Sequence, residues 1–286
     1  MVYAVAGVSG NTGRVVAEQL LAQGKSVRVI VRDAAKGAVW AEEGAEVAVA
    51  DLADAAALTK ALSGVQGAYL LLPPNLTTGN FRAYQDRVGQ SLVRAVEAAE
   101  VPHVVLLSSI AAHHPAGTGP IAGLHPVETA LRTLPRTRST FVRAAYFMEN
   151  LLGNFSALDQ GILPSFVPAN VRFPMVATAD IGKVAAQELL RGATEPVRIV
   201  ELGSEGNSNQ EVADILSKLK GRTITVAEGP VSAMTETLVG YGFPRDIAEM
   251  YQEMTAGLIS GHVSFEGGHA RVIGETSLAT FLAKSV

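Results

Sequence analysis

The 286-residue chain contains no cysteine. Disulfide bonds, thiolate catalysis and cysteine-based metal sites are therefore excluded. Charge is sparse, at 17% of residues, and slightly acidic: 23 Lys and Arg against 27 Asp and Glu, for a net −4. A broad nucleic-acid-binding face needs a basic surface that releases counterions from phosphate, and this composition argues against one. Long apolar runs are also missing, so no segment reaches the length of a membrane span. The opening Met1-Val2-Tyr3-Ala4-Val5-Ala6 meets glycine at once. Without a charged leader or a longer apolar core, it reads as a buried strand rather than a signal peptide. The expectation is a soluble cytoplasmic protein that handles a small molecule, has no nucleic-acid or membrane partner, and is compatible with a homodimer.

Apolar residues are plentiful, at 48%, enough for a large core. They come in short runs: Tyr3–Ala6, Val27–Val31, Val47–Ala50, Ala68–Leu72, Val104–Leu107 and Thr140–Val142. Each is rich in Val, Leu or Ile and bounded by Gly, Pro, Ser or charge, as strands buried on both faces are. Between them lie helical stripes. Gly13, Val16, Ala17, Leu20 and Leu21 fall on one face; Val88, Leu92, Ala95, Val96 and Ala99 form a second, and Val127, Ala130, Leu131 and Leu134 a third. This alternation predicts an α/β fold, a doubly wound parallel Rossmann sheet, with a smaller and mostly helical C-terminal lobe. The expected division is residues 1–150 for nucleotide binding and 151–286 for substrate, with the chain returning to the sheet. In the second part Leu163–Pro174 reads as loop. Asp180 reads as the N-cap of a helix carrying Ile181, Val184, Ala185 and Leu189, and Ser208 with Glu211 as a capping box.

The sharpest motif is Gly7-Val8-Ser9-Gly10-Asn11-Thr12-Gly13, directly after the first strand and opening the first helix. Gly7 permits a tight turn, Gly10 lets a pyrophosphate approach the backbone, and Gly13 lets the helix pack closely on the strand. The helix N-terminus offers free N–H groups to phosphate. Ser9, Asn11 and Thr12 add donors. Arg32 follows the second strand, where an acidic residue would hold the ribose 2′-hydroxyl of NAD and an arginine accepts a 2′-phosphate. With Lys36 one helical turn on, the expected cofactor is NADP(H), preferred over NAD(H). Asp33 reads as the cap of the next helix. Asp51-Leu52, after the third strand, falls where an adenine edge is contacted. Leu72-Pro73-Pro74, after the fourth, falls where backbone passes the cofactor.

The chain resembles the NmrA-like group of atypical short-chain dehydrogenases/reductases. The resemblance rests on the glycine turn, Val31-Arg32-Asp33, Ser108-Ser109, Val142–Asn150 and Ala177–Gly182, of which Arg143-x-x-Tyr146-Phe147-Met148-Glu149-Asn150 is the most specific. It looks most like the bacterial NADPH:quinone reductases of that group. The group also holds redox sensors that bind dinucleotide without turnover. Typical short-chain dehydrogenases use Tyr-x-x-x-Lys, in which lysine lowers the tyrosine pKa for proton exchange with an alcohol. None of the six tyrosines here has a lysine four residues later, and no lysine occurs between Lys60 and Lys183. Alcohol oxidation by that route is not expected.

Reduction of a quinone or other conjugated carbonyl asks for less: an oriented cofactor, a dry pocket and a modest acid. His125 is the acid candidate, placed before the Val127–Leu134 helix; the resemblance implies a histidine there. Its alternative is a histidine hydrogen-bonded at a helix start. Ser109 is a candidate to orient a substrate oxygen, or else caps the strand end. Tyr146 reads as a pocket wall beside the nicotinamide rather than a proton donor. Phe147, Phe166, Phe173 and Phe243 are candidates for an apolar pocket or for core. His113-His114 lacks a nearby carboxylate and fits a metal poorly. Two readings stay open: an NADPH-dependent reductase, or an NADP(H) sensor acting on a protein partner.

Overall fold

The structure, a computed structural model, describes residues 1–286. The chain runs β1 (Val2–Ala6), α1 (Asn11–Ala22), β2 (Ser26–Val31), α2 (Ala38–Glu42), β3 (Glu46–Val49), α3 (Ala55–Leu62), β4 (Gly67–Leu71), α4 (Phe81–Ala98), β5 (His103–Ser109), α5 (Leu124–Leu131), β6 (Arg138–Ala144) and β7 (Tyr146–Phe147). A 3-10 stretch, Met148–Gln160, leads to β8 (Ile162–Ser165), β9 (Met175–Val176), α6 (Thr178–Arg191), β10 (Val197–Leu202) and α7 (Asn209–Lys220). The remainder is β11 (Thr225–Glu228), α8 (Met234–Gly240), α9 (Arg245–Ser260), β12 (Ala270–Val272) and α10 (Leu278–Ala283).

Eight strands form one parallel sheet in the order β12-β10-β6-β5-β4-β1-β2-β3. Its side chains alternate between two cores, which explains why the strands read as unbroken apolar runs. Val5, Val29, Tyr69 and Val105 pack with Val16 and Leu20 of α1 and with Ile181 and Leu189 of α6. Ala4, Ile30, Leu70 and Leu106 face the other way, onto Leu58 and Leu62 of α3, Leu92 of α4 and Leu131 of α5. A third core, with Ile110, Met148, Leu163, Val212 and Leu258, lies where the later segments cover the C-terminal ends of the strands.

Several expectations are corrected here. Leu163–Pro174 is not all loop: Ile162–Ser165 is β8, paired in parallel with β11. The helix expected at Val127–Leu134 runs from Leu124 to Leu131, so His125 lies in its first turn rather than before it. Asp180 does not cap α6. The cap residue is Ala177, and the carboxylate of Glu149 accepts the free Thr178 N–H at 3.0 Å. The buried Asp180 instead accepts from the Thr276 N–H at 2.7 Å and from the Thr276 hydroxyl at 3.0 Å. Asp33 does cap, accepting from Ala35 N–H, and Ser208 and Glu211 form the reciprocal box at the start of α7.

The contact of α1 with α6 is close enough to need glycine. A Cβ on Gly182 would lie 2.5 Å from the Val15 Cβ and 2.8 Å from the Thr12 carbonyl oxygen. Helix propensity favours alanine over glycine by about 1 kcal/mol, but neither neighbour is a flexible side-chain end, and overpacking costs about 1–3 kcal/mol. Gly182→Ala is therefore expected to lower the urea midpoint. Gly79→Ala, where a Cβ meets nothing within 4 Å, should leave it within error; an equal effect of both would refute the close-packing argument.

Candidate functional site

β1 and β4 are neighbours, and the chain leaves them toward opposite sides of the sheet. A crevice forms at such a point, outside the C-terminal ends of the strands. Gly7 turns the chain out of β1 at φ +70°, and a Cβ there would meet a Leu71 methyl at 2.8 Å. Gly10 is extended, donates its N–H to Gly7 O at 2.9 Å, and caps α1 without a side chain. The first return bond is Arg14 N–H to Gly10 O at 3.3 Å. The N–H groups of Asn11, Thr12 and Gly13 therefore have neither an intrahelical acceptor nor a capping oxygen, and no acidic residue lies in that turn. A Cβ on Gly13 would sit 2.5 Å from Gly7 O, so only glycine allows the helix this near the strand. Ser9, Gly10 and Asn11 are exposed. Thr12 differs: its buried hydroxyl accepts from Tyr69 at 2.8 Å, so the N–H is what it has to offer.

Arg32 and Lys36 are exposed beside this turn, Arg32 immediately after β2 and Lys36 in the short turn of 3-10 helix that Asp33 caps. Neither takes part in an ion pair or a side-chain hydrogen bond. Asp51 follows β3, and one of its carboxylate oxygens accepts the Ala53 N–H at 2.8 Å. Leu52 beside it is buried, at 8% exposure. Leu72 and Pro73 are half-buried after β4, and Pro74 is exposed.

On the other side of the crevice, Ser109 ends β5, half-buried and without a side-chain hydrogen bond. The turn after it holds fully buried Ala111 at φ +64°, a left-handed conformation that costs an L residue about 1–2 kcal/mol. The Ala112 carbonyl in the same turn lies 3.1 Å from His125 Nδ1. A carbonyl oxygen only accepts, so Nδ1 carries the proton and Nε2 is left for a second partner. Tyr146 leaves β6 at the start of β7 and packs edge-on against Phe173, ring centroids 5.3 Å apart. Burial, reinforced by Tyr251, pushes its phenol up to about 12, so it stays protonated throughout the neutral range. Phe243 meets Tyr251 edge-on at 6.4 Å. Phe147 packs into the first core, and Phe166 lies under Gly229.

Two carboxylates of α9 hold this helix across the strand-end loops. Asp246 accepts the Phe81 N–H at 2.8 Å, and Glu253 accepts the Gly119 N–H at 2.9 Å. His114 stacks on His262 just beyond α9, at 4.1 Å and 26°, with His113 adjacent at 3.9 Å. Stacked rings do not converge their nitrogens on a point. A separate cleft of about 330 Å³ opens at the opposite, N-terminal edge of the sheet, lined by Tyr3, His103, Arg136 and Arg138 among others. It lies far from the glycine turn, and its arginines are already engaged by Glu100 and the Ala193 carbonyl.

The pattern of the NmrA-like family matches residues 2–263. The chain belongs to the NmrA-like family. Among its relatives are an NAD(P)H azoreductase of Xenophilus azovorans, 27% identical over 87% of this chain and 85% of its own, and quinone oxidoreductase 2 of Escherichia coli K12, 27% identical over 90% and 88%. An NADPH-dependent quinone oxidoreductase from Escherichia coli, solved in complex with NADPH, superimposes with a TM-score of 0.84 at 23% identity, covering 99% of both chains.

In this NmrA-like chain the motif residues of β6 and the segment after it do structural work that sequence reasoning missed. Arg143 and Glu128, 2% and 3% exposed, form a bidentate pair at 3.0 and 2.7 Å. Ser108 donates to the same carboxylate at 2.6 Å, and Glu266 takes the third arm of Arg143 at 2.5 Å. The signal was present: Glu128 interrupts the apolar stripe of α5, and Arg143 interrupts the apolar run of β6. Burial pushes the Glu266 carboxyl up, but bonds from Arg143 and His269 outweigh this and bring it down to about 2. Losing one partner of a buried pair costs about 3–5 kcal/mol, so Arg143→Met should be strongly destabilising in urea unfolding. A depressed carboxylate stabilises above its unfolded pKa and loses that contribution as pH falls through the folded one. Stability should accordingly drop between the usual carboxylate range and about pH 2, and Glu266→Gln should flatten that decline. An unchanged acid limb in the variant would refute the assignment.

Proposed function

We propose that the chain binds NADP(H) along the C-terminal edge of its sheet and reduces a quinone or a related conjugated carbonyl. The observation that carries the reading is the uncapped start of α1. Three N–H groups there have no acceptor in the protein, and Gly7 and Gly13, at which a Cβ would collide with Leu71 and with the strand-end carbonyls, let the chain turn tightly and bring the helix start close to β1. Such a turn fits a pyrophosphate. Gly7, Ser9, Gly10, Asn11, Thr12 and Gly13 would cradle it, with Thr12 acting through its N–H. Arg32 and Lys36, unpaired and exposed at the next strand end, would take a 2′-phosphate. Asp51 and Leu52 would border the adenine, and Leu72, Pro73 and Pro74 the backbone path past the cofactor. The azoreductase and the quinone oxidoreductase named above carry names of nicotinamide- or quinone-linked reductases, which supports the reading.

When bound, the nicotinamide supplies the hydride. The protein's part is orientation, exclusion of water and one proton. In its doubly protonated form His125 would donate that proton through Nε2 and be left as the Nδ1–H tautomer, its ring fixed throughout by the Nδ1–H bond to Ala112. Ser109 orients the acceptor oxygen. Tyr146, with Phe173 and Tyr251, walls the pocket, and its raised pKa suits a wall better than an acid. Residues 151–286 serve chiefly as the substrate-binding part. A quinone acceptor delocalises the developing negative charge, so the absence of a Tyr-x-x-x-Lys pair is no obstacle.

The test is NADPH oxidation against a small panel of quinones beside a cofactor titration. Turnover well above the nonenzymatic rate is expected. NADPH binding without turnover would overturn the reductase and favour a redox sensor. Arg32→Glu is expected to weaken NADPH about a hundredfold while sparing NADH, since a charge-assisted bond becomes a repulsion. Equal losses would refute the 2′-phosphate role. His125→Ala should lower kcat by about 10²-fold with cofactor affinity unchanged, and Tyr146→Phe should leave the pH profile in place.

A further inference from the structure

The chain has sixteen arginines. Thirteen make an ion pair or a side-chain hydrogen bond, from Arg14 with Glu18 to Arg271 with Ser204. Arg32, Arg87 and Arg94 make none. In a protein of net charge −4 unpaired guanidinium groups are not forced by a shortage of acids. Two of the three, Arg32 and Arg87, act on the same side chain, Tyr84. Arg87 lies one turn along α4 from Tyr84, its guanidinium 5.6 Å from the ring centroid. Tyr84 is half-buried near the start of α4, tilted against Phe81 at 6.5 Å. Burial raises its phenol; Asp51 raises it further, while Arg32 and Arg87 pull it back. The phenol is therefore within electrostatic reach of residues from the ends of β2 and β3 as well as from α4.

We propose that Tyr84 and Arg87 complete the adenosine 2′-phosphate subsite from the α4 side: Tyr84 packs against the adenine, and Arg87 is a second cation for the 2′-phosphate opposite Arg32. This rests on the NADP(H) reading above. Each feature of that half of the molecule has a matching group. The purine needs an apolar and aromatic slot, which Leu52 and Tyr84 offer. Its exocyclic amine needs an acceptor, and only one oxygen of Asp51 is taken by Ala53. A dianionic phosphate needs more than one cation, and Arg32 and Arg87 carry no competing carboxylate. The tyrosine packs on the core that holds Ala50 and Leu52 with part of its ring still exposed, and the cation over that ring holds it in place in the free protein.

The experiment is calorimetric titration of the full chain with NADPH, NADH, 2′,5′-ADP and 5′-AMP. Arg87→Gln is expected to weaken NADPH and 2′,5′-ADP about tenfold or more and to leave NADH and 5′-AMP unchanged. Tyr84→Leu keeps bulk against Phe81 and is expected to weaken all four ligands about tenfold, as loss of base stacking does. Arg87 is exposed, so its variant stays interpretable if the Tyr84 substitution perturbs folding. NADPH affinity that falls with Arg32→Glu but is unmoved by both variants overturns this inference and leaves the NADP(H) reading intact. Failure of the unaltered protein to bind NADPH or 2′,5′-ADP overturns both.

Discussion

The approach of α1 to β1 sets where everything else at the sheet edge can be. Gly13 has no room for a side chain beneath it, and Gly182 has none where α6 crosses α1. With the helix drawn in so far, its N-terminus lies against the end of β1, where a Cβ on Gly13 would collide with the Ala6 and Gly7 carbonyl oxygens. Tyr69 reinforces this geometry by donating from within the core to the Thr12 hydroxyl. The turn is therefore braced from below by a group that never sees solvent. Its donors are free because no local side chain caps them, whereas Asp54, Asn80, Ser208 and Ser277 cap α3, α4, α7 and α10.

A second constraint sits at the end of β5 and β6. Removing Arg143 and Glu128 from water is unfavourable for each alone, and the pair is tolerated because every strong donor of Arg143 finds a carboxylate. The same carboxylate takes Ser108, so β5, β6 and α5 are fixed to one another just behind Ser109 and His125. Burial disfavours the Arg143 charge, but Glu128 and Glu266 more than offset this and raise its pKa. Its job is to hold elements in place; it makes no contact with Ser109, His125 or Tyr146 among its hydrogen bonds.

What could be read from the sequence was what local physics decides. The six leading strands, the glycine turn and the caps at Asp33 and Ser208 depend on near neighbours, and the structure has them. Asp180 has the right residue type for a cap, yet its partner is Thr276, 96 positions away, and no short-range rule points there. β10 was hidden because Arg198 and Glu201 interrupt its apolar pattern; Arg198 pairs with Glu188, and Glu201 accepts the Gly267 N–H. β8 was hidden by Pro164 and by its partner β11, which lies beyond α7. Among the site residues, the sequence pointed to Ser109 and His125 individually. It did not reveal the left-handed Ala111 turn, whose Ala112 carbonyl meets His125, because that turn is held by packing rather than by a glycine.

Asp246 and Glu253 stand seven residues apart on α9, two turns of one face, and each holds a backbone N–H of a different loop. A helix advances about 100° per residue. A single inserted or deleted residue between them would swing one carboxylate about 100° round the helix, away from its loop, while the other kept its hold. Over that interval the chain can drift by substitution but not by change of length, because both loops are indexed to the same face of α9.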